Sequence, residues 1–130
     1  MKQVYEFLKK CGTYYLATMD GDQARVRPFG TIDLYEGKLY IQTGLVKDVA
    51  KQMLKNPKVE LSGMADGKWI RVEAEAIHDD NIEAQTHMLD NYPELKAMYQ
   101  PGDGNSAVFY LQNVTAKICS FTEEPVIIKF

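Results

Sequence analysis

The sequence predicts a mainly β (α+β) fold, an antiparallel barrel of six or seven strands with short helices at its ends. Runs in which apolar and polar residues alternate, rich in Val, Ile, Tyr and Thr, recur along the chain. The turn pairs Asp20-Gly21, Glu36-Gly37 and Asp66-Gly67 sit between such runs, so most connections read as hairpins rather than helical crossovers. Only short segments show helical spacing. Together these favour an antiparallel barrel over a doubly wound sheet.

The elements follow in order. Met1 to Cys11 reads as a helix with Val4, Phe7 and Leu8 as its apolar stripe and Gly12 as its stop. Thr13 to Met19 is a strand, and Asp20-Gly21 turns it back. Residues 24 to 35 alternate: Ala24, Val26, Pro28, Gly30, Ile32 and Leu34 share one face, and Arg25, Arg27, Phe29, Thr31, Asp33 and Tyr35 the other. Lys38 to Thr43 returns after Glu36-Gly37. Gly44 precedes a helix marked by Val46, Val49, Ala50, Met53 and Leu54 and stopped by Asn56-Pro57. Lys58 to Ala65 and Lys68 to Ile77 form a hairpin about Asp66-Gly67. In its second strand Ile70, Val72, Ala74 and Ala76 oppose Trp69, Arg71, Glu73 and Glu75. Asp79 or Asp80 is the expected cap of a helix through Ile82, Met88 and Leu89 to Asn91, which Pro93 interrupts. A short helical stretch, Glu94 to Tyr99, leads to a polar loop, Gln100 to Ser106. Val108 to Phe121 reads as a long strand or a pair of strands with a bend near Asn113, and Val126 to Phe130 is a candidate edge strand.

The 130 residues read as one domain, with 45% hydrophobic and 25% charged residues, ordinary for a globular protein. A net charge of −3 argues against a nucleic-acid partner, which needs a broad cationic surface. No apolar run reaches membrane-spanning length, and Met1 to Lys10 carries acid, unlike a signal peptide. A cytoplasmic location with reduced thiols is the expectation. Cys11 and Cys119 form no metal pattern and read as inert small apolar residues, and His78 and His87 lack ligand spacing.

The basic residues concentrate locally. Lys47 and Lys51 lie four apart, on one side of the first turns of the second helix. A helix N-terminus presents unpaired N–H groups and a positive dipole end. With Thr43 and Gly44 ahead of it and Arg25 and Arg27 on a neighbouring strand, this region suits a small anion such as a phosphate. The competing reading is ordinary surface: strand charges with cross-strand pairs to Asp33 or Glu60, and an exposed helix face. Trp69 reads equally as an interface or core residue and as a site rim beside Arg71. Glu73 and Glu75 read as a solvated strand face.

Three stretches carry a resemblance: Arg25-Val26-Arg27-Pro28-Phe29; Leu39-Tyr40-Ile41-Gln42-Thr43; and Lys47 ahead of Asn56-Pro57-Lys58-Val59. With Trp69-Ile70-Arg71-Val72-Glu73 and Val114 to Phe121, in this order, the chain resembles the pyridoxamine 5'-phosphate oxidase-like family of FMN-binding split barrels. The resemblance implies a split β-barrel over residues 1–130 that binds FMN. By position, Arg25 and Arg27 would contact phosphate and ring edge, and the Val26, Pro28 and Phe29 backbone would lie along the isoalloxazine. Gln42 and Thr43, at the end of the next strand, would join the cofactor site, with Thr43 and Lys47, and secondarily Lys51, on the phosphate. The family is typically a homodimer with flavin at the interface, so Trp69 and Arg71 would close the site from the partner chain.

The chain ends at Ile127-Ile128-Lys129-Phe130 without the C-terminal substrate segment of pyridoxamine phosphate oxidases proper, so the resemblance does not carry a vitamin B6 substrate with it. Relatives linked to nitroimidazole resistance place a His near the phosphate loop, where this chain has Thr43-Gly44-Leu45-Val46. The implied function is a small FMN-dependent oxidoreductase acting with a small-molecule substrate or electron donor, catalytic residue unassigned. Its alternative is a non-catalytic protein that binds flavin, another phosphate ligand, haem or a deazaflavin.

Overall fold

The computed structural model describes residues 1–130. Its elements run α1 (Lys2–Cys11), β1 (Tyr14–Asp20), β2 (Gln23–Phe29), β3 (Asp33–Tyr35), β4 (Lys38–Gly44), α2 (Asp48–Lys55), β5 (Lys58–Ala65), β6 (Lys68–Asp79), α3 (Ile82–Asn91), a 3-10 helix (Pro93–Ala97), β7 (Ser106–Cys119) and β8 (Val126–Lys129). Every pairing is antiparallel, in the order β2-β1-β5-β6-β7-β4-β3, with β8 added to β7. This is the predicted antiparallel α+β architecture, a sheet curled into a split barrel.

The strand count rises to eight because residues 24 to 35 do not form one strand. The chain leaves the ladder at Gly30 to Ile32 and crosses from one end of the sheet to the other. Side chains supply hydrogen-bond partners for this segment's backbone. Tyr14 Oη donates to the Thr31 carbonyl (2.5 Å). Tyr92 Oη accepts from the Ile32 N–H (3.1 Å) and donates to the Ile32 carbonyl (3.0 Å).

Two other boundaries shift. The helix after β4 starts at Asp48, with Lys47 as an extended N-cap residue, so Val46 lies in the preceding turn and is exposed. The cap of α3 is Asn81, whose side chain accepts from the Glu83 and Ala84 N–H groups, rather than Asp79 or Asp80. Asp79 instead accepts a 2.6 Å bond from Tyr40 Oη. The expected bend in the long strand falls at Asn113, at φ 52. Before it, β7 pairs with β4 through Ser106 to Tyr110; beyond it, the strand pairs with β8 through Thr115 to Ile118.

The inner faces meet in one cluster that includes Leu8, Tyr14, Leu16, Ile41, Met53, Leu61, Ile70, Val72 and Phe109. Burying each large apolar side chain there is worth about 1.5–3 kcal/mol, which makes this cluster the main source of stability. A smaller cluster of Tyr40, Ala84, Met88 and Val108 seats α3. α1 lies so close to β5 that a Cβ on Gly63 would fall 2.8 Å from Cys11 Sγ. Burial in that contact pushes the Cys11 thiol pKa up, away from the reactive thiolate. No helix is long and apolar enough to cross a membrane.

Candidate functional site

A cavity of about 220 Å³ opens where the end of β2, the end of β4 and the start of α2 converge. Arg27, Pro28, Phe29, Gly30 and Thr31 form one side; Gln42, Thr43, Lys47 and Val49 form the second. Leu95, Met98 and Tyr99, from the 3-10 helix and the residues after it, form the third.

Arg27 reaches this wall because β2 alternates. The register pairs Arg27 with Leu16 and Arg25 with Thr18, so both arginines share the face of two buried residues. The Arg27 guanidinium donates to the Leu16 carbonyl (3.2 Å), Thr18 Oγ1 (2.7 Å) and Gln52 Oε1 of α2 (2.8 Å). All three acceptors are uncharged, and Arg27 forms no ion pair. Burial, and next the neighbouring Arg25 charge, pulls its pKa below the ordinary arginine value, while Asp48 offsets part of this. Arg27 is therefore a fixed, half-buried cation whose charge the protein does not neutralise. An anion is the ligand that such a group stabilises.

The second wall is equally fixed. The Gln42 N–H donates to Thr31 Oγ1 (3.0 Å), tying β4 to the crossing segment. The Gln42 side chain, 5% exposed, donates to the Thr43 carbonyl (2.9 Å) and Ser106 Oγ (3.0 Å) and leaves its Oε1 buried with no hydrogen bond. An acceptor left this way costs about 1–3 kcal/mol, which a ligand N–H or O–H could recover. At Gly44 a Cβ would lie 3.0 Å from Tyr99 Oη and 3.2 Å from Asn105 Nδ2, so a side chain there would crowd the third wall. Lys47 stands at the N-terminus of α2, exposed and without an ion-pair partner.

Of the residues singled out by sequence, the fold gathers Arg27, Pro28, Phe29, Gln42, Thr43 and Lys47 around the cavity. Arg25, Val26, Lys51, Trp69 and Arg71 do not line it. Arg25 pairs across the hairpin with Asp20 (3.2 Å) rather than with Asp33 or Glu60. Val26 points to the outer face and is 68% exposed. Lys51 is exposed and unpaired one helical turn beyond Lys47. On β6, Arg71 is paired with Glu60 (2.9 Å), and the Trp69 ring packs at a tilt against Phe121 (5.0 Å between centroids). Sequence reasoning missed Leu95, Met98 and Tyr99, for which no local signal pointed back to β4, and missed Gln52 and Thr18 as the anchors of Arg27. No group of three or more His, Cys, Asp or Glu side chains is placed to hold a metal ion.

Residues 1–117 match the family model for pyridoxamine 5'-phosphate oxidase. No curated protein is similar enough to match. Among solved structures, a NimC/NimA family protein from Clostridium acetobutylicum is 48% identical with a TM-score of 0.97, covering 100% of this chain and 92% of that one. General stress protein 26 from Bacillus anthracis is 18% identical with a TM-score of 0.79, covering 99% of this chain and 97% of that one. A heme binding protein from Mycobacterium smegmatis is 12% identical with a TM-score of 0.70, covering 96% of this chain and 57% of that one. The last two are likenesses of fold alone.

Proposed function

The chain belongs to the pyridoxamine 5'-phosphate oxidase family, and from that premise we propose that it binds FMN and acts as a small flavin-dependent oxidoreductase. The observation that supports this best is Arg27, a rigidly held cation with no carboxylate partner, facing a cavity that Thr43 and Lys47 also line. FMN offers what these walls lack: a phosphate for Arg27, Thr43 and Lys47, and ring N–H and carbonyl groups, the first of which suits the unpartnered Gln42 Oε1. When bound, the flavin would supply the hydride or electron transfer. The chain's residues bind and orient it. Arg27 and Lys47 neutralise the phosphate, Thr43 adds a hydroxyl, and Pro28 and Phe29 present backbone and ring to its flat body.

The cavity's volume is below the roughly 300–1,000 Å³ of typical small-molecule sites. A second copy of the chain would complete it, which gives Trp69 and Arg71 a role from the partner subunit. Tyr15, Val26, Met64 and Phe121, large and exposed, are suited to being covered in such a homodimer.

Simple flavin binding without turnover is the second reading. What favours it is the cavity lining, which contains no carboxylate, imidazole or thiol to move a proton. Haem would need an axial ligand, and among the lining residues only Met98 and Tyr99 are of a suitable type. Anaerobic reduction by NADH or NADPH separates the oxidoreductase from the binder. Reduction of bound FMN faster than that of free FMN is expected. No acceleration with either donor would move the assignment to the binder.

A further inference from the structure

The turn that carries Lys47 is held mainly from outside itself. Within it, the Lys47 N–H donates to the Gly44 carbonyl (3.0 Å). The two amides between are met by one residue of a distant loop: Leu45 N–H donates to the Asn105 carbonyl (2.8 Å) and Val46 N–H to Asn105 Oδ1 (3.1 Å). Asn105 is in turn held by Asp103. One oxygen of the Asp103 carboxylate accepts from the Asn105 and Ser106 N–H groups (2.8 and 2.6 Å), and the other from the Gln100 N–H (2.9 Å).

Asp103 is not spent on an ion pair and does not line the cavity. Its backbone donors, Gln100 first, hold its pKa below the ordinary carboxylate value, so it stays ionised and able to gather them. The loop's other end is pinned by the Gly102 N–H, which donates to Oε1 of Gln85, a buried residue of α3 (2.9 Å). Ser106 passes the order on, because its Oγ takes the bond from Gln42 Nε2 (3.0 Å).

We propose that Asp103 is a positioning residue for the anion end of the cavity, acting through Asn105 to fix the Gly44 to Lys47 turn and with it the Lys47 ammonium and the start of α2. The inference rests on the flavin reading above and deepens it, since it assigns a remote carboxylate to the phosphate rather than to the ring. Asp103 touches no ligand. Its effect is geometric, and it should therefore fall on phosphate recognition selectively.

The test compares Asp103→Ala and Asn105→Ala with the wild-type chain, titrating each with FMN and with riboflavin, which lacks the phosphate. Both variants are expected to lose FMN affinity on the order of tenfold, the lower end of what outer-shell losses cost at metal sites. Riboflavin affinity should move by less than about twofold, well below the factor of ten that 1.4 kcal/mol represents. Equal losses for the two flavins would reduce Asp103 to a general structural role, and unchanged FMN affinity in Asn105→Ala would break the proposed link. If Asp103→Ala fails to fold, Asn105→Ala carries the comparison alone. A wild-type chain that binds neither flavin removes the flavin reading instead. Titration with inorganic phosphate then decides the matter: weaker binding in the variants supports the positioning role, and no difference, or no phosphate binding at all, ends it.

Discussion

Replacing Arg27 by Met separates its two roles, strut and anion receptor. The folded chain without ligand loses three hydrogen bonds, to Leu16 O, Thr18 Oγ1 and Gln52 Oε1. The substitution strands neither side-chain acceptor, because Thr18 Oγ1 still donates to Gln52 Oε1 at 2.6 Å. Methionine keeps much of the side chain's apolar bulk, and the cost of desolvating an unpaired guanidinium disappears. These terms oppose each other, so ligand-free stability should change by only about 1 kcal/mol in either direction. Binding has no such offset. A charge-assisted bond to the phosphate is worth about 1.5–3 kcal/mol, or roughly 10- to 150-fold in Kd. Urea unfolding of the ligand-free protein gives the first quantity, and quenching of flavin fluorescence on titration gives the second. A loss of about 3 kcal/mol or more in stability, a size seen when a needed partner of a buried charge is removed, with FMN affinity intact, would make Arg27 a strut and not an anion receptor.

Three further outcomes follow from the same geometry. Lys47→Ala should leave the melting temperature nearly unchanged, as its side chain is exposed and makes no ion pair, while weakening FMN by about 1.5–3 kcal/mol in calorimetric titration. Gly44→Ala should cost about 1–3 kcal/mol in thermal unfolding by overpacking against Tyr99 and Asn105, and should disturb the cavity; a neutral change would mean that the third wall yields freely. The third outcome concerns pH. The folded-state pKa of Asp103 lies below the ordinary 3.8, so its contribution to stability is fully present above that value and is lost as pH falls through the lower folded value. Acid titrations followed by circular dichroism should therefore show the wild-type advantage over Asp103→Ala shrinking below pH 3.8; a constant difference would contradict this.

Much of this was legible in the chain because the signals are local. Alternation placed Arg25, Arg27 and Phe29 on one face of β2, the Glu36-Gly37 and Asp66-Gly67 turns joined two hairpins, and Asn113 marked the bend of the long strand. What was not legible depends on distant residues. The break at Gly30 to Ile32 depends on the hydroxyls of Tyr14 and Tyr92, one of them sixty residues away. Leu95, Met98 and Tyr99 read as an ordinary short helix, and only the fold returns them to the end of β4. Arg25 and Arg27 are indistinguishable by pattern, yet they differ because Asp20 lies within reach of one and only uncharged acceptors of the other. The choice of Asn81 over Asp79 as a cap likewise turns on Tyr40, which takes the Asp79 carboxylate across the sheet.

The most direct test of the central claim is an absorbance spectrum of the purified chain, recorded as isolated and again after addition and removal of excess FMN. Retained flavin bands are expected at about one flavin per chain, one for each cavity lined by Arg27, Thr43 and Lys47, and are expected to be lost in Arg27→Met. A chain that retains no flavin after reconstitution, or that shows a haem spectrum instead, would contradict the claim and leave Arg27, Thr43 and Lys47 as the seat of another anion.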